Sequence, residues 1–335
     1  MIAAEKGSSL TSPRNRLARR LAWFGGPTLA IAVMAWALLS SVDPQFAPAA
    51  EPDARRSFDY LVKICDLGPR YSGSEGMTKQ QELIARHFSD LKAEVKLQPF
   101  DARHPLTGKP VRMTNILVSW HPQSKERVLL ACHYDTRPLP DRDPNPQIAR
   151  RGPFIGANDG GSGVALFMEL AHHLPKLKTK YGVDMVFFDG EELVFQEIDP
   201  YFLGAEEFSR QYRDKPPEYR YVYGVLVDMV GDKNLNLFQE VNSANYAPEV
   251  TDSLWGIARK LQVREFVARQ RHEVRDDHLA LNEIAKIPTC DIIDFDYPYW
   301  HTSKDIPANC SGTSLAKVGK VILTWLQNVP PPRAR

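Results

Sequence analysis

Cysteine is scarce in this chain: Cys65, Cys132, Cys290 and Cys310 are the only four in 335 residues. No two stand close together and none has zinc-finger spacing, which excludes a small scaffold held by disulfides or a structural metal. Cys290 and Cys310 are the nearest pair and would be the candidates for a bond in an exported domain; buried free thiols are the other reading. An excess of charge of one sign is also missing. Forty-two basic residues stand against 41 acidic ones, so no global field gathers nucleic acid or an acidic surface. Internal repeats and low-complexity segments are absent as well, which excludes a repeat architecture.

What remains is the composition of a globular protein, 43% hydrophobic and 25% charged, long enough for one large domain or two with a sizeable core. Its 26 prolines cluster at 138–153 and at the C-terminus, which predicts ordered, turning loops. The N-terminus departs from this average. Arg14, Arg16, Arg19 and Arg20 close a basic tail, 1–20, and precede an uncharged stretch from Leu21 to Val42. That length suits a membrane-spanning helix, and the arginines predict an N-in orientation with the remainder on the extracytoplasmic side. The segment 21–42 is expected to be an uncleaved signal anchor. The alternative is a secretory signal cut near Ala47-Pro48-Ala49-Ala50, which would release the protein. A buried soluble helix fits poorly with the flanking arginines. Residues 43–53 read as a linker and 54–335 as a single catalytic domain.

Within that domain, helical periodicity is expected at Ser57–Cys65, Met77–Leu91, Gly163–Leu174, Tyr201–Tyr212, Pro248–Leu261, His278–Ala285 and Ser314–Gln327. Strand patterns fall at Glu94–Pro99, Asn115–Trp120, Val128–Cys132, Val183–Phe188, Val222–Met229 and Thr289–Phe295. A Pro- and Arg-rich loop spans Arg137–Pro153. Strands alternating with helices predict an α/β fold: a three-layer α/β/α sandwich around a mixed, mostly parallel sheet.

The polar residues that matter stand where these elements end. Asp189-Gly190-Glu191-Glu192 follows the apolar run Val186-Phe187-Phe188, at the carboxyl edge where open α/β sheets bind ligands. Adjacent carboxylates repel, so one is expected to have a cation partner while the other is free to move protons. His133-Tyr134-Asp135 follows the strand at Val128, Asn158-Asp159 precedes the helix at Gly163, Asp228 closes another strand, and Trp300-His301-Thr302 follows the last. Singly, each has an ordinary explanation, such as a helix cap or a satisfied surface group. Together they supply oxygen and imidazole ligands suited to zinc.

His133-Tyr134-Asp135, the run Gly156-Ala157-Asn158-Asp159-Gly160-Gly161-Ser162-Gly163, Phe188-Asp189-Gly190-Glu191-Glu192 and His301-Thr302 resemble the zinc aminopeptidase family. The resemblance runs from about Phe58 to Leu326. Within that group the chain looks most like the animal-type glutaminyl-peptide cyclotransferases. Cys132 before the first motif points that way, as does the insertion-like Asp199-Pro200-Tyr201-Phe202-Leu203-Gly204. So do Asp276 in Arg275-Asp276-Asp277-His278, where the peptidases usually carry Ser, and Trp300 directly before His301.

The resemblance implies that Asp159, Glu192 and His301 hold one zinc (Zn2+). Glu191 would shuttle protons with Asp228 and Asp276 as hydrogen-bond partners, and Trp300 would wall the pocket for an N-terminal glutamine. The substrates would be peptide or protein N-termini, and the product pyroglutamate with release of ammonia. Some details depart from the branch. Val164 stands where some animal cyclases have a cysteine that pairs with the one before the first motif, leaving Cys132 without that partner. Leu193–Ile198 contains no Trp, so Phe195 or Tyr201 would have to line the mouth. Gly160-Gly161-Ser162-Gly163 is more like the peptidases. His133 and Asp228 are retained, and in the aminopeptidases they bind a second zinc; a di-zinc exported aminopeptidase is therefore the alternative. A non-catalytic domain that kept the fold is the weakest reading, since the whole constellation is present.

Overall fold

Val186, Phe187 and Phe188 lie in strand β4 (Gly182–Phe188), every residue of which is buried. A strand buried on both faces needs a covering layer above and below. The side chains alternate accordingly. Phe187 packs against Phe88 and Phe167 on one side of the sheet, whereas Phe188 meets Phe208 on the other. The computed structural model describes residues 47–332. The basic tail and the expected membrane segment 21–42 lie outside the described residues, among which no helix is long and apolar enough to cross a membrane.

Six strands form the main sheet: β1 (Glu94–Arg103), β2 (Pro110–Trp120), β3 (Glu126–His133), β4, β5 (Arg220–Asp228) and β8 (Thr289–Ile293), in the order β1-β2-β4-β3-β5-β8. β1, β2 and β4 pair antiparallel, while β4, β3, β5 and β8 run parallel. One helical layer contains α1 (Ala54–Cys65), α2 (Glu75–Asp90), α4 (Gly161–Leu170), α7 (Pro248–Lys260) and α9 (Gly312–Gln327); the other contains α5 (Leu203–Asp214) and α8 (Asp277–Glu283). The sheet is mixed and covered on both faces, as the sequence predicts. Strand order reverses at β3, with β4 on one side and β5 on the other, and such a switch point opens a crevice at the strands' carboxyl ends. His133 pairs in register with Phe188, and Asp228 with Ile293. The polar residues after these strands therefore emerge at one edge.

Several short elements differ from the sequence expectation. The Pro-rich loop contains a six-residue helix, α3 (Pro146–Arg151), started by Asn145, whose side chain accepts from the Gln147 amide. A two-stranded parallel sheet of β6 (Leu237–Gln239) and β7 (Phe266–Gln270), with the short helix α6 (Val241–Tyr246), flanks β8. Three to six residues are too few to show a period. Part of the expected linker is packed on the domain: Ala49 is buried, its amide donates to Thr324 Oγ1 at 3.1 Å, and Asp53 caps α1. All four cysteines are buried, free thiols, so Cys290 and Cys310 are not joined. Burial pushes Cys65 and Cys290 up to about 12, which makes them inert packing groups at neutral pH.

Candidate active site

The residues expected to act together do converge. His133 Nε2 lies 3.2 Å from Asp228 Oδ1 and 3.3 Å from Asp159 Oδ1. His301 Nε2 lies 3.2 Å from Glu192 Oε2 and 3.5 Å from Asp159 Oδ2. Asp159 thus bridges the two histidines, and Glu191 Oε2 stands 3.9 Å from His133 Nδ1. The two glutamates separate as expected for adjacent carboxylates. Glu192 is buried and held by the Arg137 amide at 2.6 Å, while Glu191 keeps 14% of its side chain exposed to a cavity of about 1080 Å³.

Residues that sequence reasoning left without a role fix this arrangement. Asp135 accepts from the amides of both Glu191 and Glu192 at 3.1 Å, which sets the path of the pair. Asp305 accepts from the amides of Asn158 at 2.8 Å and Asp159 at 3.1 Å, and from the Tyr297 hydroxyl at 2.9 Å. Asp189, adjacent to the glutamates, is occupied with structure: it accepts from Ser72 Oγ at 2.7 Å and the Thr114 amide at 2.8 Å. Asp135 belongs to the His133-Tyr134-Asp135 motif, which marks it in the sequence; Asp305 carries no local signal. Gly160 is required by geometry. Its φ is +76°, and a Cβ would sit 2.3 Å from the Asp135 carbonyl oxygen, so the turn after Asp159 admits only glycine.

Burial pushes Glu191 well above the ordinary carboxylate range; Glu192, Asp276 and Asp277 push the same way and His133 opposes them. Asp228 is raised, again chiefly by burial. Asp276 is pushed up to about 6 by burial and by the charge of Asp228. It caps α8 through Oδ1, at 2.6 Å from the Asp277 amide, and its buried Oδ2 has no hydrogen-bond partner. These carboxylates form one low-dielectric cluster in which a proton on one member stabilises its neighbours.

Trp300 lines the cavity with Arg137, Arg142, Tyr201, Phe202 and Arg275. Its ring packs on His301 with centroids 4.3 Å apart and on Phe295 at 5.0 Å. Of the two aromatic candidates for the mouth, Tyr201 lines the cavity, whereas Phe195 is stacked on His104. Phe202, Met229 and His301 line the same cavity with φ of 60°, 48° and 55°. Left-handed backbone at bulky residues is costly and concentrates where a site is held in shape.

The donors suit a zinc ion. Ligand atoms of Asp159, Glu192 and His301 lie within 4.8 Å of one another, and so do those of His133, Asp159 and Asp228. Asp159 Oδ2, which faces His301 Nε2 at 3.5 Å, is buried without a hydrogen-bond partner, an arrangement that is expensive unless a cation or proton completes it. Asp276, His278 and Asp291 make a further buried group, continuous with the carboxylate cluster through Asp276.

The sequence profile of peptidase family M28 matches residues 115–326. The Drosophila melanogaster glutaminyl-peptide cyclotransferase is 25% identical over 264 residues, 71% of each chain. The crystal structure of the Fimbriiglobus ruber glutaminyl cyclase superposes with a TM-score of 0.81 at 40% identity, covering 84% of this chain and 97% of that one. A leucine aminopeptidase precursor from Bacteroides thetaiotaomicron superposes with a TM-score of 0.78 at 29% identity, covering 84% and 99%.

Proposed function

The chain belongs to peptidase family M28, and on that footing we propose that it cyclises the N-terminal glutamine of peptides or proteins to pyroglutamate with release of ammonia. The observation that carries this reading is Asp276, a third buried carboxylate set beside Asp228 and Glu191, in a position where the peptidases usually have Ser. The relatives named as glutaminyl cyclases support it.

Asp159, Glu192 and His301 would hold one zinc, which would supply Lewis-acid polarisation of the γ-amide carbonyl. Trp300 walls the pocket for the glutamine side chain. Glu191 takes a proton from the α-amine as its nitrogen bonds to the γ-carbon, then returns it to the leaving nitrogen as that carbon–nitrogen bond breaks. Burial has raised Glu191, so it is a strong enough base to take the proton and a strong enough acid to give it back. Asp228 and Asp276 share protons with it and keep the cluster from accumulating charge. The nucleophile is part of the substrate, so orientation in a dry pocket supplies much of the acceleration.

The animal-type branch is the finer reading. Cys132 and Trp300 support it, while 40% identity to the Fimbriiglobus ruber enzyme draws the chain toward bacterial cyclases. The segment 21–42 would hold the domain on the extracytoplasmic side of a membrane, or be cleaved to release it. A second reading, a di-zinc aminopeptidase, is favoured by one observation: His133 and Asp228 meet Asp159 as a second ligand group. Product analysis and metal content separate the two. The cyclase binds about one zinc per chain and turns a Gln-initiated peptide into a blocked peptide of unchanged length plus ammonia. Binding of about two zincs with shortening of the peptide would establish the aminopeptidase.

A further inference from the structure

The loop between β3 and α3 runs as a strap across the loop that carries Trp300 and His301. The Arg142 amide donates to the His301 carbonyl at 3.0 Å. Its guanidinium lies 4.0 Å over the Trp300 ring. Asp143 Oδ2 accepts from the Ser303 amide at 2.9 Å. Between these contacts, Asp141 Oδ1 faces His301 Nδ1 at 3.4 Å, a buried ring nitrogen with no hydrogen-bond partner and within reach of one on Asp141. Asp141 is itself fixed by the two-pronged guanidinium of Arg137, at 2.9 and 2.8 Å. The same Arg137 donates its amide to Glu192 at 2.6 Å.

We propose that Asp141 is a positioning residue for His301, clamped by Arg137 so that the strap orients a metal-binding imidazole from outside the ligand set. A carboxylate opposite Nδ1 keeps the proton on that nitrogen and leaves the Nε2 lone pair directed at Asp159 and Glu192. An outer carboxylate of this kind fixes the orientation of a ligating imidazole. His301 has a left-handed backbone, φ 55°, a sparsely populated conformation for a side-chain-bearing residue. The Arg142 amide and the Asp141 carboxylate hold the backbone and the ring in one orientation between them. Because Arg137 touches Glu192 through its amide and Asp141 through its side chain, the strap links two of the three expected ligands.

The inference rests on the zinc reading of Asp159, Glu192 and His301, and its test separates the two. Zinc affinity of the full chain is measured by competition with a fluorescent chelator for the unaltered protein, Asp141→Ala and Asp141→Asn. The His301 Nδ1–H signal is followed by NMR in the same proteins. Asp141→Ala is expected to lower zinc affinity by roughly 10–100-fold and to lose the slowly exchanging Nδ1 proton. Asp141→Asn, which keeps an acceptor and serves if the alanine variant does not fold, should fall in between. Turnover should recover toward the unaltered value as zinc is raised, a rescue that a general loss of structure would not show. Variants that bind zinc within about twofold of the unaltered protein would overturn the role of Asp141 while leaving the metal site standing. An unaltered protein that binds no zinc would overturn the metal reading itself.

Discussion

Glu191 and Glu192 are chemically identical neighbours in sequence, and the fold gives them different work by giving them different contacts. Glu192 is turned toward His301 and the Arg137 amide, Glu191 toward the cavity and the acid cluster. Replacing Glu191 with Gln keeps the shape and removes the carboxyl proposed to carry the proton. Turnover is expected to fall by roughly 10²–10⁴-fold with zinc content unchanged, and loss of zinc from that variant would place Glu191 among the ligands instead. Asp276→Ser tests the proton-sharing chain. A drop of roughly tenfold or more in kcat, measured on a Gln-initiated peptide, is expected; unchanged activity would remove Asp276 from the chemistry. At this scale the sequence singled out the residues that the fold brings together at the cavity, because their types and motif spacing are distinctive. It did not show Asp305 or Asp141, which act on backbone amides or a ring nitrogen supplied by another loop. An aspartate in a polar loop gives no sign of which amides folding will bring to it.

The elements were legible in proportion to their length and to the apolar run they carry: five-residue β8 is buried throughout and was expected, five-residue β7 is mostly exposed and was not. The long apolar strands and amphipathic helices announced themselves through periodicity, whereas β6, β7, α3 and α6 were too short to do so. Burial of charge inside an element was harder still to read. Arg127 in β3 belongs to no motif and precedes the expected strand at Val128, yet it is 1% exposed and paired with Asp184 of β4 at 2.5 Å, also almost fully buried. The guanidinium also donates to the Trp120 and His121 carbonyls, and Asp184 accepts from the Tyr221 hydroxyl. Arg127→Met would leave Asp184 charged and unpaired in the interior, at a cost of about 3–5 kcal/mol. Denaturant unfolding checks this, and a loss below about 1 kcal/mol would mean the pair contributes no more than a surface one.

A second ion pair ties α1 to α4 and gives the fold an acid limit. Burial opposes the charge on Glu169, but His173, Arg56 and the Asp53 amide outweigh it and hold the carboxyl at about 2. A carboxyl depressed from 4.5 contributes stability that is fully present above about pH 4.5 and is lost as pH falls toward 2. Arg56→Ala, which removes one partly exposed member, should cost about 1–2 kcal/mol near neutrality. It should also flatten the decline in melting temperature across that window. An unchanged acid profile would show that His173 and the Asp53 amide suffice without Arg56.

At the scale of the whole molecule, the fold is the one that alternating strands and helices imply, and the site lies at the carboxyl edge that such sheets provide. Both the M28 match and the paired carboxylates fit more than one reaction, because a cluster of candidate metal ligands, a free carboxylate and a cavity serve either. The reaction depends on what surrounds Glu191 and on the aromatic wall at Trp300, features that come from loops far apart in the chain. The most direct test offers one preparation of the protein a Gln-initiated peptide and an aminoacyl chromogenic amide side by side, with ammonia and free amino acids both measured. The expected result is ammonia from the Gln peptide, with its chain left intact and the chromogenic amide untouched. Release of free amino acids from either substrate, without ammonia, would contradict the account.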